Sequence, residues 1–205
     1  QVHDGVQMTA IVDYRAGNLT SVRLAFNALG AETVISSDPS VIRAAERVVF
    51  PGVGAAASAM ANLHGLGLTD AVREAASSGR PFIGICLGMQ ILFDHSEEDG
   101  GVDLLGVLPG KVRRFPDVEG FKVPEIGWND VQTDGTERFI RSGDEFYFVH
   151  SYYAELNPHT VGRTSYAGVD FTSAVRRGSL FATQFHPEKS GRVGLALLKS
   201  FLETA

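Results

Sequence analysis

Cys86 is the only cysteine in this chain of 205 residues, and it lies in Gly84-Ile85-Cys86-Leu87-Gly88, with a glycine two residues to either side. A thiol in such a stretch after a buried strand suits a tight strand-to-helix turn, where bulkier flanking side chains would collide. The turn lifts the sulfur above the sheet edge and opens a helix, expected over Gly88 to His95, whose free N–H groups favour a thiolate. The alternative is a small buried hydrophobe at a strand end. A thiol nucleophile needs a base, and the base needs an orienting group. Ser179 to Phe185 reads as a strand that runs into His186-Pro187-Glu188. Residues i and i+2 of an extended chain project to one side, which sets His186 beside Glu188. Alone, that pair also fits a solvated turn. Pro51-Gly52-Val53-Gly54 follows the apolar strand Arg47 to Phe50 and brings backbone N–H groups near a ligand. Leu87 and the Gly52, Val53, Gly54 loop fit the two donors that an acyl oxyanion requires, although an ordinary strand-to-helix loop has the same composition.

These three segments can meet only if a sheet aligns them. The first half alternates: strand Thr9 to Tyr14, helix Asn18 to Leu29 capped by Asn18 and stopped at Gly30, strand Thr33 to Ser36, and a short helix from Asp38-Pro39. Strand Arg47 to Phe50, helices Ala57 to Leu63 and Asp70 to Ser78, and strand Phe82 to Ile85 follow. Beyond Gly100 the pattern turns to short strands: Gly106 to Arg114, Trp128 to Thr133, Glu145 to Tyr153, Val161 to Tyr166 and Phe171 to Val175. Ser190 is expected to cap a final amphipathic helix to Glu203. The fold class is α/β, with a central mostly parallel sheet, helices on both faces and added antiparallel strands. Ligand sites on such sheets lie at the carboxyl ends of the strands, and Cys86, His186 and the Pro51 to Gly54 loop each directly follow one.

Composition fits a globular domain, with 44% hydrophobic and 20% charged residues. A net charge of -6 argues against a general nucleic-acid binder. The basic clusters Lys111 to Arg114 and Arg176-Arg177 read as solvated hairpins, and Glu97-Glu98-Asp99-Gly100-Gly101 as a solvated loop. One cysteine excludes an internal disulfide and suits a reducing, cytoplasmic compartment. No apolar run approaches the ~18 residues of a membrane helix. Residues 1–7 read as an expression remnant or disordered leader, set apart from one domain over residues 8–205. Neither a metal nor a cofactor is expected. His3 falls in the leader, His64 and His159 in turns, and His95 near the end of the elbow helix. His150 follows an apolar strand and reads as a hydrogen-bonded buried histidine.

Gly84 to Gln90, Pro51-Gly52-Val53-Gly54 and Gln184-Phe185-His186-Pro187-Glu188-Lys189-Ser190 together resemble the class I, triad-type glutamine amidotransferases. Three further stretches are similar to one branch, the glutaminase subunits of imidazole glycerol phosphate synthase: Asp13 to Val22, Val123 to Asn129, and Tyr147 to Tyr152. The match runs in order over roughly residues 8 to 202. The resemblance implies a catalytic set of Cys86, His186 and Glu188, with oxyanion and glutamine contacts from Gly52, Val53, Gly54, Leu87, Gln90, Ser151 and Tyr152. It further implies a heterodimer with a (β/α)8 cyclase, contacted near Asn18, Trp128, Tyr147 and Lys189, to which ammonia from glutamine is passed. For Trp128 the alternative is a core aromatic, and for Lys189 a solvated helix start.

Two positions depart from the family pattern. Arg15 stands where glycine is common, so the loop into the first helix is expected to differ, because arginine tolerates positive φ poorly. Glu125 stands where histidine is common. Other glutaminase domains, serving anthranilate, guanine-nucleotide or pyridoxal phosphate synthesis, lack the early and middle motifs. A free-standing γ-glutamyl hydrolase would need no partner face, and a non-catalytic stabilising subunit should lack part of the triad.

Overall fold

Residues 7–204 are described by a computed structural model. Residues 1–6, most of the expected leader, lie outside the described residues; Gln7 accepts a hydrogen bond from Arg47. The alternating half gives β1 (Met8–Val12), α1 (Leu19–Ala28), β2 (Glu32–Ser36), α2 (Pro39–Ala44), β3 (Arg47–Gly52), α3 (Ala56–Gly65), α4 (Thr69–Ser77) and β4 (Phe82–Cys86). After β4 come α5 (Leu87–Gln90), β5 (His95–Ser96), β6 (Val102–Asp103), β7 (Lys111–Arg114), β8 (Glu125–Val131), β9 (Asp144–His150) and β10 (Tyr152–Ala154). The chain ends through β11 (Thr160–Tyr166), β12 (Val169–Arg177), β13 (Leu180–Thr183) and α6 (Gly191–Leu202).

One sheet runs β2-β1-β3-β4-β13-β12-β10-β7-β5-β6, with β11 paired to β12. Its first five strands are parallel, and β13, β12, β10 and β7 are joined antiparallel. Strands buried on both faces alternate between two cores. Val48, Phe50 and Phe82 face a core shared with α2, α3 and α4, whereas Val49, Ile83 and Ile85 face one shared with α1 and α6. The second core also holds the separate β8-β9 ribbon, through Phe146 and Phe148. Phe146 stacks on Phe185 with centroids 4.0 Å apart, which ties that ribbon to the segment leading into His186.

Several expectations are corrected. The elbow helix does not reach His95: α5 is one turn, because the carbonyls of Ile91, Leu92 and Phe93 accept from the backbone of residues 105–108 instead of continuing the helix. His95 lies in β5 and pairs with Asp103 at 2.9 Å. Glu145 to Tyr153 is not one strand; it breaks at Ser151, and β9 and β10 join different sheets. Ser190 precedes α6 without a side-chain cap, since its hydroxyl donates to the His186 carbonyl at 2.6 Å and accepts from Tyr147 N–H at 3.0 Å. Arg176 does lie on a hairpin, β12-β13, but is not solvated: it binds Glu137 at 2.8 Å and stacks over Phe139 and Phe181 at 4.3 and 4.8 Å. Arg15 takes positive φ, at 63°, although arginine tolerates it poorly; its N–H donates to the Asp13 carboxylate at 3.1 Å.

Candidate active site

β3 and β4 are in register with Gly52 opposite Cys86, so both loops leave the sheet side by side. Cys86 has φ 56° and ψ -112°, a conformation that costs an L-residue on the order of 1–3 kcal/mol and persists only where the surroundings hold it. Here the clamp is close packing. A Cβ on Gly88 would overlap the Phe50 carbonyl, and one on Gly84 would come within 2.8 Å of the Gly88 carbonyl. The two glycines of the motif thus let the elbow lie directly on β3.

β13 is parallel to β4 on the other side and delivers His186. The His186 N–H donates to the Tyr147 carbonyl at 3.0 Å, and Nδ1 bonds to Glu188 Oε1 at 2.6 Å. Both side chains are buried, and Nε2, on the side of the Cys86 sulfur, has no hydrogen-bond partner among the described residues. Burial works against a charged imidazole. The negative charge of the neighbouring Cys86 and the hydrogen-bonded Glu188 carboxylate outweigh that burial and push the His186 pKa up to about 10. The charged imidazole is therefore held through neutral pH and lost as pH rises through about 10. Cys86, His186 and Glu188 come together as the sequence predicts, although a single-turn α5 offers the thiol little helix dipole.

A cavity of about 300 Å³ opens over the sulfur, lined among others by Val53, Gly54, Leu87, Gln90, Ser151 and Tyr152, all expected there. Leu87 begins α5, so its N–H has no acceptor within the helix. Val53 does not match that readiness: its N–H donates to the Ala16 carbonyl at 2.6 Å, so the Gly52-Val53 peptide faces away from the site. Asn18 and Lys189 border a small void of about 20 Å³ with Gly52, His186 and Glu188; Val53 lines both it and the larger cavity, and Gly52, expected in the larger cavity, lines only the void. Trp128 is 55% exposed, which rules out a core aromatic, and it meets Tyr147 across the β8-β9 ribbon with centroids 6.3 Å apart.

Sequence reasoning missed three residues. Glu98 is not solvated: it is buried, lines the cavity, accepts from Ala56 N–H at 3.3 Å, and burial pushes its carboxyl pKa up. Gln184 is buried and donates to the Cys86 sulfur at 3.7 Å, while accepting from Gln90 Nε2 at 2.9 Å. Gln90 also donates to the Tyr152 carbonyl at 2.8 Å. His150 is the hydrogen-bonded buried histidine that the sequence suggests: it donates from Nδ1 to that same carbonyl at 2.7 Å and meets Glu125 at 2.7 Å through Nε2, so the departure at Glu125 forms a buried pair beside the cavity. Tyr14 is the third of those missed, buried beside Gly52. Two-residue alternation could have flagged Gln184; nothing in a Glu-Glu-Asp-Gly-Gly run could have flagged Glu98.

The family model for class-I glutamine amidotransferases matches residues 10–205. The chain belongs to the class-I glutamine amidotransferase family. This amidotransferase is 47% identical over 97% of its length to the imidazole glycerol phosphate synthase subunit HisH of Herpetosiphon aurantiacus, covering 95% of that protein. It is 50% identical to the subunit HisH of Moorella thermoacetica, covering 95% and 93% of the two chains, and 50% identical to that of Pseudomonas putida, covering 96% and 97%. A crystal structure of a glutamine amidotransferase shares the fold with TM-score 0.73 at 22% identity, over 97% and 98% of the chains. The PurLQS structure from Thermotoga maritima shares it at 0.70 and 17%, over 97% and 98%.

The thiol's hold on His186 is directly measurable. An imidazole NMR titration should place His186 near pH 10 in the native chain. Cys86→Ala should lower that midpoint, because burial then opposes only Glu188; an unchanged midpoint would remove the sulfur as the cause.

Proposed function

We propose that this amidotransferase is the glutaminase subunit of an imidazole glycerol phosphate synthase, hydrolysing glutamine to glutamate and ammonia for histidine biosynthesis. The observation that carries the reading is Cys86 at a strained elbow beside the His186-Glu188 pair, in a chain similar to HisH subunits over almost its whole length. His186 already carries the proton of the Cys86-His186 pair, and the Cys86 sulfur attacks the side-chain carboxamide carbon. The C–O π electrons move onto oxygen, where the Leu87 N–H donates to the oxyanion. Imidazolium then protonates the nitrogen, the C–N bond breaks, and ammonia leaves a γ-glutamyl thioester. Water, losing its proton to His186, attacks the thioester; the C–S bond breaks and glutamate and thiol are released. Glu188 orients the imidazole and stabilises its charge.

The substrate's amino-acid end suits the rest of the cavity. Glu98 offers a buried carboxylate to the α-ammonium, with Gln90 and the Ser151 and Tyr152 backbone beside it. The second oxyanion donor is Val53, once its bond to Ala16 is broken. That latch favours a partner-gated enzyme over a free-standing hydrolase. Ammonia freed into neutral water becomes ammonium, which is not nucleophilic, so hydrolysis without an acceptor in place is wasteful. The partner is a (β/α)8 cyclase subunit, docking in a heterodimer on the face that carries Asn18, Trp128, Tyr147 and Lys189. Ile126, 64% exposed, adds apolar surface to it.

Two outcomes test this assignment. Paired with the cyclase subunit, Cys86→Ala should abolish glutamine-dependent product formation while free ammonia still supports it; loss of both would refute the division of labour. Glu98→Gln should raise KM for glutamine about tenfold with kcat little changed, since a charged hydrogen bond to the substrate is exchanged for a neutral one. An unchanged KM would remove Glu98 from the binding site.

A further inference from the structure

Tyr14 is the largest buried polar side chain that the chemistry above leaves unused. Its ring packs on Phe50 with centroids 4.9 Å apart, and its hydroxyl is fully buried with no hydrogen-bond partner among the described residues. That hydroxyl lies over Gly52. A Cβ built on Gly52 would overlap it and would sit 3.3 Å from Leu87 Cβ. One orphaned donor thus sits between the two backbone segments that must hold the oxyanion. Burial, with a further contribution from Cys86, keeps the phenol protonated by raising its pKa well above the ordinary tyrosine value.

The Gly52-Val53 peptide shows what the donor is for. Val53 N–H points to Ala16 at 2.6 Å, and across a trans peptide the Gly52 carbonyl points the opposite way, toward the site. Offering Val53 N–H to the oxyanion means turning this peptide over. The Gly52 carbonyl then swings off the site and loses its surroundings, and a buried carbonyl needs a donor. No Cβ on Gly52 stands between that carbonyl and the Tyr14 hydroxyl.

We propose that Tyr14 is a positioning residue for glutamine hydrolysis: its hydroxyl, unpaired at rest, donates to the Gly52 carbonyl when the peptide turns, and so stabilises the conformer with Val53 N–H facing Cys86. The inference rests on the reading of the chain as a gated glutaminase. The hydroxyl is unpaired at rest and paired in the turned state, so the equilibrium is tilted toward the turned state by the hydrogen bond gained. Tyr14→Phe removes that atom and keeps the ring that packs on Phe50.

The test is glutamine turnover by the Tyr14→Phe subunit in complex with the cyclase subunit and its nucleotide ligand. A single hydrogen bond made only in the turned state predicts a fall in kcat of about tenfold with KM within about twofold. The ammonia-dependent reaction of the partner should be unchanged. The Tm of the isolated variant should stay level or rise, since a buried orphan has been removed. A structural role gives the opposite sign: a fall in Tm together with lost turnover would overturn the proposal, as would native kcat. If the native complex turns over glutamine no faster than the isolated native chain, the gated reading itself fails. If gating holds and Tyr14→Phe is unaffected, only the role of Tyr14 falls.

Discussion

The contact of the Cys86 elbow with β3 is the constraint on which the site depends. Gly88 lies against the Phe50 carbonyl and Gly84 against the Gly88 carbonyl, and any side chain at either position would push the two segments apart. That closeness holds Cys86 at φ 56° and sets it in register with Gly52. Parallel pairing of β13 with β4 then leaves His186 the only place it can go, against the sulfur from the other flank. A few glycines decide the distance between nucleophile, base and oxyanion loop.

The resting chain is half prepared. Its acid–base half is complete: the His186-Glu188 bond is buried, and the imidazole is held charged by the sulfur. Its electrostatic half is not, because Val53 N–H, one of the two donors proposed for the oxyanion, is spent on Ala16. The lost donor matters, since removing one such hydrogen bond typically costs 10²–10³ in kcat, roughly 3–4 kcal/mol. The latch belongs to the loop that opens α1, where Arg15 adopts a positive φ and Asn18 caps the helix. That loop borders the face proposed for the partner, so a docked subunit could bias the same peptide that the chemistry needs.

The parallel sheet, its helices and the meeting of Cys86 with His186 and Glu188 were legible because each depends on local pattern: apolar runs, glycine spacing and i, i+2 geometry. Long-range contacts were not. Glu98 carries a solvent-like sequence and is drawn inside only because α3 and β7 pack around its short helical turn. The elbow helix stops early because a segment some fifteen residues onward claims its carbonyls. Arg15 holds a conformation its type disfavours because Asp13 supports it two residues back. Glu125 reads as a misfit in the motif until His150 appears opposite it in the β8-β9 register.

The most direct test of an armed nucleophile behind a latched oxyanion loop is glutamate release from glutamine. It should be measured with the subunit alone, and with the cyclase subunit in the presence and absence of its nucleotide ligand. The account predicts slow release by the isolated chain and a large rise with the loaded partner; full release by the isolated chain would contradict it.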